Sequence, residues 1–499
     1  MAEVTNEEEH LDPTSEISLT AVKERAVKGV AVLTGRTFVL SVISLVATGF
    51  LTVFLEPSEF GVFWIVSAVV NFLVYFSDIG LAAALIQKKE KLKKSELNTT
   101  FLVQQSLVIS LLIILYLSTP FLKRYYSLSD EGEFLFYALG ASLFLSSLKT
   151  IPSVLMERRL EFGKLVIPQV LENLVYNLVA VFLAWSGFGI RSFTYSVLAR
   201  GIVGLIVIYM LRPWFPALNF SRKSLRKLLT FGIPYQVNTF LATIKDDGMT
   251  AYLGGILGPT GIGFLGWAQK WAYMPLRLFL DHVLKVTFPA FSRMQNDKKE
   301  LEYAVTRSIF FVCFLVFPSV AGLIILAPIL IKIIPRYEKW EPALFPLALI
   351  SINTLFAAAT TQLTNLLNAI GKIKVTFKLM VMWTVLTWIF VPFLTIKYGV
   401  NGAAFGYAMV GASSIIAIYI VRKIINFSLY RSVFTPAVAA IIMALVLLLF
   451  KGFLPVNITS VWLLVFAGTL VYMISMYFLV GPLILADAKK GIRAVFSRN

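Results

Sequence analysis

The sequence predicts an all-α integral membrane protein of about 14 transmembrane helices, arranged as two six-helix lobes followed by two further helices. Three observations predict it. Of the 499 residues, 58% are hydrophobic and only 14% charged, and the mean hydropathy is +0.80, well above that of soluble globular chains. Apolar runs of about 20 residues, enough to cross about 30 Å of hydrocarbon, recur along almost the whole length. Short motifs from the first half return in the same order in the second.

The predicted helices centre near Leu45, Val70, Ile109, Ser142, Val175, Ile202, Thr239, Met274, Val316, Leu355, Val385, Val410, Met443 and Met473. Before them, "MAEVTNEEEHLDPTSE" is acidic and polar, with neither a basic leader nor a short apolar core. It reads as a disordered cytoplasmic tail over residues 1–20, leaving helix 1 as an uncleaved insertion signal. Helices 1–6 then form an N-lobe over 21–220 and helices 7–12 a C-lobe over 221–430. Helices 13 and 14 and a basic cytoplasmic tail fill 431–499.

The net charge of +18 is distributed as a topology signal. One set of loops holds Lys23, Arg25, Lys28 and Arg36, then "KKEKLKK", "ERRLEFGK", "LRPWFPALNFSRKSLRK", "RMQNDKKE", "GKIKVTFK", "VRKIINFSLYR" and the terminal "KKGIRAVFSRN", 30 basic residues together. The alternate loops carry eight: Lys123, Arg124, Arg191, Lys332, Arg336, Lys339, Lys397 and Lys451. Basic loops stay cytoplasmic, so both termini are expected inside. The positive charge then reflects orientation and attraction to anionic lipid rather than nucleic-acid binding. No loop is long enough for a catalytic domain, and one cysteine and two histidines supply no metal cluster. Neither enzyme activity nor a metal or cofactor is expected.

Internal repetition supports the two-lobe reading. "LEPSEFGVF" (55–63) matches "LGPTGIGFL" (257–265), "FGK" (162–164) matches "IGK" (370–372), and Gly189, Gly201, Tyr209 and Arg212 match Gly399, Gly411, Tyr419 and Arg422. Because six predicted helices separate the copies, they run in the same orientation.

Ionisable residues at membrane depth need a partner or a water-filled cavity. On helix 8, Lys270, Arg277, Asp281 and Lys285 fall within about 80° of one another, a stripe roughly 22 Å long. Helix 5 offers Gln169, Glu172, Asn173, Tyr176 and Asn177, helix 10 Thr361, Thr364, Asn365 and Asn368, and helix 2 Asn71, Tyr75 and Asp78. Helix 7 carries Gln236, Asn238, Thr243, Lys245, Asp246 and Asp247. These faces are expected to border one wet cavity. Its cations would be Arg36, Lys149, Arg200, Lys245, Lys270, Arg277 and Lys285, and its carboxylates Asp78, Glu172, Asp246, Asp247 and Asp281. The cationic excess suits an anionic ligand, and arginine's planar fork suits phosphate oxygens. For Lys245, Asp246 and Asp247 the structural alternative is interhelical salt bridging, and for Arg36 it is snorkelling to the interface. Asp78 and Glu172 are equally hydrogen-bond acceptors or proton or sodium sites. Helices 13 and 14, uncharged from Val433 to Phe450 and from Val461 to Ala486, can meet acyl chains on every side.

The stretch "LTGRTFVLSVISLVATGFLTVFLEPSEFGVFWIVSAVVNFLVYFSDIGLAAALIQKKE" resembles the polysaccharide-exporter branch of the MATE-like (MOP) flippase superfamily, and "FPAFSRMQND" (288–297) its second-half counterpart. The resemblance spans residues 30–430 and is closest to the Wzx-type lipid-linked oligosaccharide flippases. It implies a MATE-like fold in the bacterial inner membrane, alternating access, and flipping of a polyprenyl-diphosphate-linked repeat unit for surface polysaccharide synthesis. It also implies ion coupling, with H+ or Na+ as the ion, and polymerase or export machinery as partners. Arg277, Lys270 and Lys285, with Arg200 or Lys245, would meet the diphosphate, and Asn173, Tyr176, Asn365 and Asn368 the sugars. Peptidoglycan-precursor flippases of the superfamily place cavity arginines on helices 1, 2 and 8. Arg36 and Arg277 match, whereas helix 2 has Asp78. A drug antiporter of the superfamily would want an acidic pocket and usually lacks helices 13 and 14.

Overall fold

The computed structural model describes residues 19–88 and 90–481, and every described element is helical. Most of the expected acidic tail and the terminal basic tail lie outside the described residues. Two compact units divide the chain, the first ending at Gly263 and the second starting at Phe264.

The first unit contains α1 (Leu19–Phe54), α2 (Pro57–Val74), α3 (Leu81–Gln87), α4 (Lys94–Tyr125), α5 (Asp130–Leu148), α6 (Thr150–Arg158), α7 (Phe162–Trp185), α8 (Arg191–Leu211) and α9 (Arg222–Thr243). A π-helical turn, Ile244–Gly248, leads into α10 (Met249–Met294), which runs into the second unit. There α11 (Lys298–Ile333), α12 (Leu344–Ala369), α13 (Ile373–Ala412), α14 (Ser414–Ile424), α15 (Thr435–Lys451) and α16 (Ile458–Val480) follow. All the predicted centres fall within these helices. Ten helices among the described residues are long and apolar enough to cross a membrane, or 11 if the bent pair α5 and α6 is one span. The count is below 14 because α9 and α10, interrupted by glycines and charges, do not qualify, and because α13 carries two predicted centres. Val385 and Val410 lie on either side of a break at Gly399, where φ is 58°.

Local chemistry sets the element ends. Pro57 opens α2 at a position that needs no N–H, and Glu59 Oε2 accepts the Glu56 N–H at 2.6 Å. Asn457 Oδ1 accepts the Ser460 N–H at 2.8 Å to start α16, while Asp297 Oδ1 accepts from Lys299 and Glu300 to start α11.

Predicted helix 2 does not run on through Asp78. The backbone turns through positive φ at Ile79 (49°) and Gly80 (74°), and both Asp78 carboxylate oxygens accept the Ala82 N–H at 3.2 Å, nucleating α3. A second break separates α5 from α6 by 42° at Lys149. A bend frees backbone groups that lipid cannot satisfy. Here Tyr209 of α8 donates to the Leu148 carbonyl at 3.1 Å, while Gln104 and Gln105 of α4 brace the bend by donating to the Thr150 and Ser147 hydroxyls at 2.9 and 3.0 Å.

Two repeat-matched features have matching conformations. Gly189, the counterpart of Gly399, also has positive φ, at 56°. In the first unit, the motifs beginning at Pro57 and Pro259 pack reciprocally. A Cβ on Gly61 would meet the Pro259 carbonyl oxygen at 1.6 Å, and one on Gly263 would meet that of Pro57 at 1.9 Å. Between membrane helices, where lipid removes the hydrophobic drive, such backbone approach is a main source of packing. The second unit's core, by contrast, is built from α11, α12 and α15, with Val305, Ile309, Val312, Cys313, Leu366 and Ala439 inaccessible.

Candidate functional site

The first unit brings four predicted positions together on α1, α7, α8 and the α5–α6 bend. The bend at Lys149 sets its side chain toward α7, where Nζ lies 2.6 Å from Glu172 Oε1. Arg200 of α8 places Nε 3.7 Å from the other Glu172 oxygen. One helical turn along α8, a Cβ on Gly204 would stand 1.9 Å from Glu172 Oε1, so the absent side chain makes the space the carboxylate occupies. The Lys149 and Glu172 side chains are each 12% exposed, while Arg200 is 54% exposed. Neighbouring turns of α7 continue the polar seam. Arg36 Nη1 donates to Gln169 Oε1 at 2.5 Å, Asn173 Nδ2 reaches Ser44 Oγ at 3.5 Å, and Asn177 Nδ2 donates to the Asn173 carbonyl at 2.7 Å. Tyr176, half-buried, lies on the same helix. Arg36 is thus engaged across to α7 rather than directed only to the interface.

Asp78 stands apart from this seam, at the break between α2 and α3. Beside it Tyr75 and Gln236 exchange two side-chain-to-backbone hydrogen bonds that tie α2 to α9. Further along, Lys245 pairs with its neighbour Asp246 at 2.8 Å, and Asp247 bonds Asn71 of α2. Neighbouring side chains on a helical turn point apart, which leaves Asp246 exposed while Asp247 is half-buried on the turn that packs against α2.

The second unit displays its cations differently. Lys270, Arg277 and Lys285 of α10 are exposed, while Ala268, Ala272, Leu276 and Leu280 on the other side of the helix are buried. The side chain of Asp281 lies outside the described residues. The packed side of α10 bonds to α12: Asn353 donates to Tyr273 at 3.1 Å, Thr354 to the Ala272 carbonyl at 3.0 Å, and Asn365 to Thr287 at 3.0 Å. Asn365 is therefore occupied in holding α12 to α10, while Asn368, one turn on, is exposed. Among the described residues no group of His, Cys, Asp and Glu is arranged to hold a metal ion.

Sequence reasoning missed the bend at Lys149 and its supports Gln104, Gln105 and Tyr209, although Tyr209 already stood out as a repeated position. It also missed Gly204, whose role is the absence of a side chain.

The model of the family described as polysaccharide biosynthesis protein matches residues 50–344, and the chain belongs to that family. Among curated relatives, the lipopolysaccharide biosynthesis protein WzxC of Escherichia coli K12 is 22% identical over 82% of this chain and 84% of its own. The succinoglycan biosynthesis transport protein ExoT of Rhizobium meliloti 1021 is 23% identical over 83% and 84%. Of solved structures, the lipid II flippase MurJ in an inward closed conformation superposes with a TM-score of 0.74 at 16% identity, covering 90% of this chain and 99% of that one. An inward-facing multidrug resistance MATE transporter of the MOP superfamily gives 0.61 at 15% identity, covering 77% and 94%. The chain thus shares the fold of these two structures and is a multi-pass membrane protein.

Proposed function

We propose that this protein is a flippase that carries a polyprenyl-diphosphate-linked oligosaccharide repeat unit across the cytoplasmic membrane by alternating access, for O-antigen, capsule or exopolysaccharide synthesis. The observation that carries the reading is the exposed row Lys270, Arg277 and Lys285 on a helix whose other side is packed. Each charge at membrane depth costs about 2.5–3.5 kcal/mol on insertion scales, and a polyanionic ligand suits a face that displays three cations. Family membership and the names of the two relatives support a polysaccharide precursor as that ligand.

In this reading, within the second unit the α10 cations attract the diphosphate and Asn368 meets sugar hydroxyls, and within the first unit Arg200 and Lys149 offer a second contact for anionic groups and Asn173 and Tyr176 for hydroxyls. The acyl-compatible α15 and α16 face lipid and leave the polyprenyl tail there. No bond is made or broken. The proposed topology is 14 spans, two six-helix lobes and two added helices, with both termini cytoplasmic, supported by the positive loop bias. Energy comes from H+ or Na+ antiport, for which Asp78, Asp246 and Asp247 offer carboxylates not held by two cations. The product passes to polymerase or export machinery.

Proteoliposomes carrying a fluorescent polyprenyl-diphosphate oligosaccharide test the proposal. Protein-dependent movement to the opposite leaflet is expected, and absence of movement together with cation-drug antiport would overturn it.

A further inference from the structure

We propose that Glu172 is a positioning residue that holds the Arg200 guanidinium and the Lys149 ammonium as a preformed anion-binding pair. The proposal rests on the flippase reading, of which it specifies one contact.

The geometry separates three roles for a membrane-embedded carboxylate. A proton carrier must lose and regain its charge, yet Glu172 has Lys149 Nζ at 2.6 Å on one oxygen and Arg200 Nε at 3.7 Å on the other. Both carboxylate oxygens thus face fixed cations, an arrangement for holding rather than carrying. A pure packing bridge would bury both partners, as Lys88 and Glu96 do, with side chains 8% and 6% exposed. Arg200 instead remains 54% exposed while its inner nitrogen faces the carboxylate. A guanidinium whose Nε faces a carboxylate keeps the edge of its two terminal nitrogens for another partner, the edge that bonds two phosphate oxygens at once.

The trio keeps one net positive charge, and its parts are fixed from separate helices. Lys149 is set by the α5–α6 bend, whose carbonyl Tyr209 satisfies. The carboxylate is seated in the gap at Gly204. Preorganisation of this kind lowers the rotamer entropy lost when a ligand binds.

The test is binding of a short-chain prenyl diphosphate to the full-length detergent-solubilised chain, with thermal unfolding of each variant recorded alongside. Glu172→Gln adds a net positive charge, so simple attraction predicts tighter binding; positioning predicts weakening of roughly tenfold. Gly204→Ala leaves every charge in place yet displaces the carboxylate, and weakens binding in the same direction. Glu172→Asp retains part of the affinity. In Arg200→Ala, adding Glu172→Gln costs less further affinity than it does in the native chain, because only the Lys149 half of the pair is then left to position. Unchanged or tighter binding by Glu172→Gln, or by Gly204→Ala if the first variant fails to fold, overturns the assignment. A native chain that binds no prenyl diphosphate overturns it together with the functional reading, and native binding separates the two.

Discussion

Gly61 and Pro259 lie so close that a single methyl group on the glycine would sit 1.6 Å from the proline carbonyl oxygen, and their repeat partners Gly263 and Pro57 repeat the approach at 1.9 Å. Two motifs matched in the sequence are thus also matched in packing, each glycine receiving the other's backbone.

Gly61→Ala is expected to destabilise the solubilised protein by about 1–3 kcal/mol, the usual range for overpacking, because the neighbouring Pro259 carbonyl is backbone and cannot rotate away. Gly49, with nothing within 4 Å of a Cβ, is the control. Gly49→Ala should leave the midpoint unchanged or raise it, since alanine suits a helix interior better. Equal midpoints for the two variants would show that the approach is relaxed in the protein.

The bend at Lys149 depends on a hydroxyl. Tyr209→Phe removes the donor to the Leu148 carbonyl and is expected to cost about 1–3 kcal/mol, the penalty for a buried acceptor left unsatisfied. Tyr195→Phe, on the exposed side of the same helix, should cost nothing measurable. Thermal unfolding of both variants checks this.

Lys88 bonds both Glu96 oxygens at 2.8 Å with both side chains nearly inaccessible. Breaking a buried pair by removing one charge costs about 3–5 kcal/mol, so Glu96→Gln should lower the midpoint clearly. Replacing both partners with Met and Leu should recover much of that loss.

Glu90 gives the acid response its sign. Its hydrogen bond to Lys227, reinforced by Lys88, holds its carboxyl below the usual range. A depressed folded value means that the group stabilises the fold above the unfolded value near 4.5 and loses that contribution as pH falls through the folded value. Because Glu90 is exposed, the effect is small. Unfolding midpoints compared at pH 7 and pH 3 should fall slightly less for Glu90→Gln than for the native chain.

Much of the fold was legible because lipid imposes a simple rule: each span is a long apolar run, and every predicted centre lies in a helix. Breaks were less legible. The bend at Lys149 follows from where Tyr209, Gln104 and Gln105 come to rest, partners far away in sequence. The π-helical turn at Ile244–Gly248 is a local widening that periodicity alone reads as regular helix. For the site, the α10 stripe could be read from spacing alone, because side chains on one helix share its geometry. The Glu172 cluster could not, since it joins the α5–α6 bend, α7 and α8, and Gly204 contributes only space.

The central claim is that the exposed cations of α10 receive a diphosphate. Its most direct test is the rate at which reconstituted native, Arg277→Lys and Arg277→Ala proteins flip a fluorescent polyprenyl-diphosphate oligosaccharide, at matched amounts and matched thermal midpoints. A fall of roughly tenfold or more for Arg277→Ala, with Arg277→Lys between because it keeps the charge without the fork, is the predicted result. Flipping by Arg277→Ala at the native rate would contradict the account.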